Sequence, residues 1–162
     1  MDSRLDRMIA RMTTQRRALE VAAAEIGALP GPVLEIGLGK GRTFSHLRKL
    51  FPDRTIIGFD RDLHAPADAT PAAPNLVLGD FRETLPALSG RTPWVPAALA
   101  HADFGSEDRA RDAAQADWLA GLIDGLMAPC GLVVSDRPMR AGRWTALPFA
   151  APEWPYFLWQ VG

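Results

Sequence analysis

The chain is poor in the residues that build disulfides and metal centres. Its single cysteine, Cys130, can close no internal bridge, and His46, His64 and His101 stand apart without ligand spacing, so neither a disulfide scaffold nor a metal site is expected. No apolar run approaches the roughly 18 residues of a membrane span, and the polar start Met1-Asp2-Ser3-Arg4 is unlike a secretory signal. A cytoplasmic protein without a membrane partner is the expectation. Lysine occurs only at Lys40 and Lys49, and the arginines are scattered among acids, so the formal charge of -1 comes with no basic stripe for nucleic acid. What is present is an ordinary globular balance, 48% apolar and 23% charged, over 162 residues, enough for one domain with a real core.

The most informative stretch is Val33-Leu-Glu-Ile-Gly-Leu-Gly-Lys-Gly-Arg-Thr-Phe44. Pro32 leads into a short buried strand, Gly37, Gly39 and Gly41 follow at once, and Phe44, Leu47 and Leu50/Phe51 then recur at helical spacing until Pro52. Strand, glycine turn and helix present free backbone N–H groups and the positive end of a helix to a ligand. Glu35 lies two residues before the first glycine, on a strand where a carboxylate is costly unless something positive or hydrogen-bonding meets it. A pyrophosphate would be repelled there, whereas a cofactor with an ammonium and a sulfonium would be attracted. The dinucleotide fingerprint Gly-x-Gly-x-x-Gly would also need a glycine where the chain has Arg42.

Glu35-Ile-Gly37-Leu-Gly39-Lys-Gly41 resembles the first motif of the class I S-adenosylmethionine-dependent methyltransferases, an acidic residue, any residue, then Gly-x-Gly-x-Gly. The resemblance covers about residues 30 to 136. It implies a doubly wound, mostly parallel α/β sheet of the Rossmann-like kind with S-adenosyl-L-methionine as cofactor. Glu35, Gly37, Leu38, Gly39, Lys40, Gly41, Arg42 and Thr43 would form the cofactor loop.

Three later positions fit the same order. Thr55 to Asp60 reads as a second strand ending in a carboxylate about 20 residues past the glycines, the spacing at which such sheets offer an acid to ribose hydroxyls, with Arg61 beside it. Asn75 to Asp80 reads as a third strand; the resemblance assigns the Gly79-Asp80 pair to the adenine amino group and Phe81 to the ring face, while Asp80 also suits a helix cap. Pro129-Cys-Gly followed by Leu-Val-Val-Ser-Asp136 is similar to the family's entry to the fifth strand, with Cys130 where a glycine is more usual.

The fourth strand, Pro96 to Asp103, ends beside the first at the switch point, so His101 and Asp103 approach the transferred methyl as candidate general base or substrate orienter, or else line the pocket. The strand end lacks the Asn-Pro-Pro-Tyr-like motif of the amino-group methyltransferases. Residues 2 to 28 show helical periodicity, with Leu5, Met8, Ile9, Met12, Leu19, Ala22, Ala23 and Ile26 on one face; Thr13 and Thr14 interrupt it, which leaves one helix or two. Ser106 to Met127 reads as a helix with Glu107 and Asp108 in its first turn, Trp118 and Leu122 on its buried face, and Gly121 and Gly125 allowing close approach to the sheet. Arg143 to Phe149 and Tyr156 to Val161 read as two antiparallel strands, an edge whose strand order stays open because the usual helix before it is shortened or absent.

The expectation is therefore one domain: a helical segment 1–29, a cofactor core 30–136 and antiparallel C-terminal strands 137–162. Its activity would be methyl transfer to a small-molecule acceptor. A non-catalytic S-adenosylmethionine-binding protein and, less favoured, an NAD-dependent oxidoreductase remain as alternatives. Homo-oligomerisation is expected from the apolar first helix and from the aromatic tail of Trp144, Phe149, Trp154, Tyr156, Phe157 and Trp159, read as core and subunit interface.

Overall fold

A computed structural model describes residues 1–106 and 108–162. Among the described residues seven strands form one sheet, in the order β3-β2-β1-β4-β5-β7-β6. Strands β1 (Val33–Ile36), β2 (Ile56–Asp60), β3 (Leu76–Leu78), β4 (Ala97–Ala102) and β5 (Met127–Ser135) run parallel; β6 (Trp144–Leu147) and β7 (Phe157–Val161) are antiparallel. The open question at the edge is thereby answered: β7 inserts between β5 and β6. No helix lies between β5 and β6, because the few residues separating them are spent on turns.

Helices cover both faces. On one, α1 (Arg4–Ile26) and α2 (Arg42–Leu50) bury Ala18, Leu19, Ala22, Ile26, Phe44 and Leu47 against Val33, Ile56, Leu99 and Leu132. On the other, α3 (Phe81–Leu88) and α4 (Arg109–Asp124) bury Leu85, Leu88, Leu119 and Ile123 against Leu34, Ile36, Phe59 and Val133. Side chains alternate across a strand, so β1 sends Val33 and Glu35 to the α1/α2 face and Leu34 and Ile36 to the other. Both faces being covered accounts for the apolar runs of the central strands.

One open question is answered and several local expectations need correction. α1 is one helix, opened by a capping box between Ser3 and Asp6 and passing through Thr13 and Thr14 without a break. Its buried face is Thr14, Gln15, Ala18, Leu19, Ala22 and Ile26, while Leu5, Met8 and Ile9 are 50% or more exposed. The periodicity was real, but the helix begins beyond the sheet and only its second half is covered. α4 starts at Arg109 with Asp108 as its N-cap and ends at Asp124; Glu107 lies outside the described residues. Trp118 and Leu122 are half-buried, not core, and a Cβ at Gly121 would meet open space, so those glycines bring no close approach.

The fifth strand begins at Met127, two residues before the expected turn, and carries a register shift opposite Ala97 and Leu99. Cys130 sits there in the left-handed region, with φ of 64°. A side chain in that region costs about 1–2 kcal/mol, while a glycine's extra freedom in the unfolded chain costs about 0.5–1 kcal/mol. Cys130→Gly is therefore expected to raise the urea-unfolding free energy by up to about 1 kcal/mol; a loss of stability would contradict this account of the bulge.

Candidate functional site

The site lies where β1 and β4, neighbours in the sheet, end and their chains leave in opposite directions. Gly37 continues β1 with φ of 94°, and a Cβ on it would collide with the Asp103 carbonyl oxygen beyond β4. Only glycine lets the two strand ends pass so closely. Gly41 then stands at the N-terminus of α2, and the Gly37 and Leu38 N–H groups both donate to the Phe59 carbonyl.

A two-lobed cleft opens over these ends. The larger lobe, about 500 Å³, is bordered by Asp60, Arg61, Gly79, Asp80, Phe81, Arg82 and Trp118. The smaller, about 350 Å³, is bordered by Met8, Arg11, Met12 and Gln15 of α1, by Lys40, Arg42 and Thr43, and by Asp136 and Arg137. Gly37, Gly39, Asp103, Gly105 and Ser106 border both and form their join. Asp60 accepts hydrogen bonds from the Gly39 N–H (2.7 Å) and the Arg61 N–H (2.7 Å), which ties the end of β2 to the glycine turn. Asp80 caps α3 through the Arg82 N–H at 2.8 Å and still borders the larger lobe, so it serves the cap while remaining at the cleft.

Glu35 and His101 sit elsewhere than a reading of the strand ends suggested. They are register partners on β1 and β4, both point to the α1/α2 face, and both are wholly buried. The Glu35 carboxylate accepts from the Thr43 hydroxyl and is 2.7 Å from His101 Nδ1; His101 Nε2 is 2.6 Å from the Tyr156 hydroxyl. Both ring nitrogens are thus engaged, and neither side chain borders a lobe. Burial pushes the His101 imidazole down, but the adjacent Glu35 carboxylate, with Asp103 and Asp136 beyond, more than reverses this and leaves its pKa above the ordinary value. Burial, reinforced by the Asp103 charge, holds Tyr156 as a neutral phenol, its pKa well above the usual 10.0.

Asp103 is the strand-end acid that reaches the cleft. Gln15 Nε2 donates to it at 2.5 Å and Arg11 pairs with it at 3.1 Å, with Asp136 3.9 Å from the same guanidinium. Burial and the charge of Asp103 raise the Asp136 carboxyl against the pull of Arg137. Arg137 also pairs with Asp112 at 3.1 Å and stacks over Phe104 at 4.6 Å. Asp112 in turn accepts from the Ser106 N–H at 2.9 Å, which fastens the turn after β4 to the start of α4.

Sequence reasoning missed Arg11, Gln15, Asp112, Asp136, Arg137 and Tyr156. Gln15 left a signal, a polar residue on the covered stripe of α1; Arg11 and Asp112 lie on α1 and α4, where nothing local marks their partners, and Asp136, Arg137 and Tyr156 are brought in by turns that carry no periodicity.

The model of a family described as S-adenosyl-L-methionine methyltransferase matches residues 2–160. The chain belongs to this family. It is similar, at 40% identity over 100% of both chains and with a TM-score of 0.90, to an S-adenosyl-L-methionine methyltransferase from Silicibacter pomeroyi DSS-3. CalS11, a TDP-rhamnose 3'-O-methyltransferase of calicheamicin biosynthesis, aligns with a TM-score of 0.66 at 18% identity, over 94% of this chain and 80% of its own. The sugar N-methyltransferase KedS8 from Streptoalloteichus sp ATCC 53650 aligns with a TM-score of 0.54 at 16% identity, over 84% and 55%. These two likenesses establish the fold. No curated protein sequence matches the chain.

The protein is thus an S-adenosyl-L-methionine-dependent methyltransferase, and the donor set fits that cofactor. Acids stand at the ends of β2 and β3, an aromatic ring at Phe81, and a turn at Gly37 keeps the strand ends free of side chain. Among the described residues no helix is long and apolar enough to cross a membrane.

Because the folded pKa of His101 lies above its unfolded 6.5, its charge contributes stability that is fully present below pH 6.5 and lost as pH rises through the folded value. The destabilisation caused by His101→Gln, read from urea unfolding, is expected to be greatest near pH 6 and to shrink as pH rises; a constant difference would show that folding leaves the imidazole pKa unshifted, and a difference that grows with pH that the buried imidazole is neutral.

Proposed function

We infer that the protein methylates a small molecule seated in the smaller lobe, with Asp103 the side chain nearest the reacting atoms. The observation that carries this reading is the join, since ligands filling the two lobes meet at Gly37, Gly39 and Asp103. The larger lobe suits the adenosine: Asp60 for the ribose hydroxyls, with Arg61 at its edge, and Gly79, Asp80 and Phe81 for the adenine. The turn from Gly37 through Leu38, Gly39, Lys40 and Gly41 to Arg42 and Thr43, which edges the smaller lobe, suits the amino-acid end and leaves the α1 side of that lobe, at Met8, Arg11 and Met12, to the acceptor. When bound, S-adenosyl-L-methionine supplies a methyl group on a positively charged sulfur.

Asp103 serves two needs at the join. Its negative charge favours the positive sulfur, and its carboxylate can accept a hydrogen bond or proton from an acceptor O–H or N–H. His101 acts at one remove, holding Glu35 and Tyr156, because both its nitrogens are occupied. Glu35 supports the glycine turn through Thr43. The walls of the smaller lobe, Met8, Arg11 and Met12 of α1 on one side and Arg137 on the other, narrow the approach and favour an in-line arrangement at about 3–3.5 Å. A cavity of about 350 Å³ suits a small molecule and not a polymer. An exposed free thiol at Cys130 suits the reducing cytoplasm, and the exposed Leu5, Met8 and Ile9 support association with a second copy.

Methyl-labelled S-adenosyl-L-methionine is to be offered with cell extract separated into small-molecule, RNA and protein fractions. Label is expected in the small-molecule fraction; label in RNA or protein overturns the acceptor class, and none in any fraction favours the non-catalytic alternative. Asp60→Ala is expected to weaken S-adenosyl-L-methionine and S-adenosylhomocysteine alike, by roughly tenfold for a lost hydrogen bond to a charged group, as read by titration calorimetry; unchanged binding would remove Asp60 from the cofactor site.

A further inference from the structure

We propose that Gln15 and Tyr156 are positioning residues that lock the Asp103 carboxylate at the join of the two lobes and tie it, through His101, to Glu35 beneath the glycine turn. The proposal rests on the placing of Asp103 next to the reacting atoms.

The structure contains an unbroken run of side-chain hydrogen bonds drawn from five parts of the chain. Asp103 Oδ2 accepts from Gln15 Nε2 at 2.5 Å; the same nitrogen donates to the Tyr156 hydroxyl oxygen at 3.1 Å; Tyr156 meets His101 Nε2 at 2.6 Å; and His101 Nδ1 meets Glu35 at 2.7 Å. Thr43 closes the far end by donating to Glu35. Gln15 and Tyr156 are 4% and 3% exposed, and His101 and Glu35 not at all. Four buried polar side chains in one line are costly unless each is satisfied, and a satisfied line is rigid.

The two bonds made by Gln15 have one direction available to them. A carboxylate only accepts, so the amide nitrogen of Gln15, not its oxygen, must face Asp103, and the second N–H then goes to Tyr156. Tyr156 is thereby held between Gln15 and His101, and cannot turn without breaking both contacts. The opposing influence is Arg11, whose guanidinium lies 3.1 Å from Asp103 Oδ1 and 3.4 Å from Oδ2, on a long and partly exposed side chain that also faces Asp136. Released by Gln15, Asp103 would be free to turn into an even two-pronged pair with Arg11, its charge spent there and not at the join. Gln15 holds Oδ2 and so keeps the pairing lopsided.

A space-filling role for Gln15 and Tyr156 would affect every ligand alike, whereas a role in placing charge affects charged ligands more. S-adenosyl-L-methionine carries a positive sulfur and S-adenosylhomocysteine a neutral one in nearly the same shape. The ratio of their dissociation constants, taken on a single preparation, reads the charge at the join and cancels any loss of folded protein. Wild type, Asp103→Asn, Gln15→Met, Tyr156→Phe and the double variant Gln15→Met/Asp103→Asn are to be compared by titration calorimetry. Asp103→Asn is expected to shift the ratio against S-adenosyl-L-methionine by about tenfold, and each positioning variant by about threefold in the same direction. The double variant is expected to match Asp103→Asn alone.

A shift with Asp103→Asn but none with Gln15→Met or Tyr156→Phe overturns the positioning proposal and leaves the reading of Asp103 standing. No shift with Asp103→Asn overturns that reading and the proposal with it. Should Tyr156→Phe fail to fold, Gln15→Met, on one helix face and similar in volume, decides the matter.

Discussion

A carboxylate with no exposure to water, placed on the first strand of the sheet, is the constraint around which the rest of this structure arranges itself. Glu35 is tolerable there only because His101 stands opposite it on β4 and the Thr43 hydroxyl comes down from α2. Breaking such a buried pair by removing one partner costs about 3–5 kcal/mol, so the pairing opposes any slip in the β1–β4 register. A slip of one residue would send Glu35 into the apolar face beneath α3 and α4. The same pairing holds the first turn of α2 over the end of β1, which sets the shape of the glycine turn.

Away from that pair the site is built from charges that alternate in sign. Asp103, Arg11, Asp136, Arg137 and Asp112 follow one another at 3.0 to 3.9 Å and fasten α1, the turn after β4, the end of β5 and the start of α4 to one another. Their placement at the cleft, partly open to water, lowers the cost of so many ions and leaves them within reach of a ligand. The apolar layers on either side of the sheet hold the strands; the charges hold the loops. This division explains how a turn as exposed as Gly105-Ser106 keeps a defined course, through the Ser106 N–H to Asp112 and Arg137 over Phe104.

The antiparallel edge adds more than closure of the sheet. Tyr156 stands immediately before β7, and the pairing of Ser135 with Phe157 carries it beneath the ends of β4 and β5, where its hydroxyl meets His101. A segment that reads as an aromatic tail thus delivers a polar atom to the interior. Trp159 and Trp144, whose ring centres are 5.8 Å apart, do the packing on the opposite face.

Much of the architecture was legible in the chain, because local rules govern it. The turn at 37–41 needs positive φ and close backbone approach, and glycine is the residue that supplies both. The strands announce themselves as short apolar runs between turn residues. Asp60 and Asp80 lie at strand ends, where sequence position alone puts a side chain at the cleft. What the sequence could not decide is the direction in which a strand residue points and the partner it meets across the sheet. His101 and Asp103 are two positions apart, yet one is sealed beneath α1 while the other reaches the cleft, because β4 ends between them at Ala102 and the chain turns. Leu5, Met8 and Ile9 carry a sound helical period but lie beyond the sheet that would have buried them. Periodicity and turn chemistry act over a few residues and are written in the chain; the bonds from Gln15 to Tyr156 and from His101 to Glu35 span 141 and 66 residues and exist only once the sheet has been assembled.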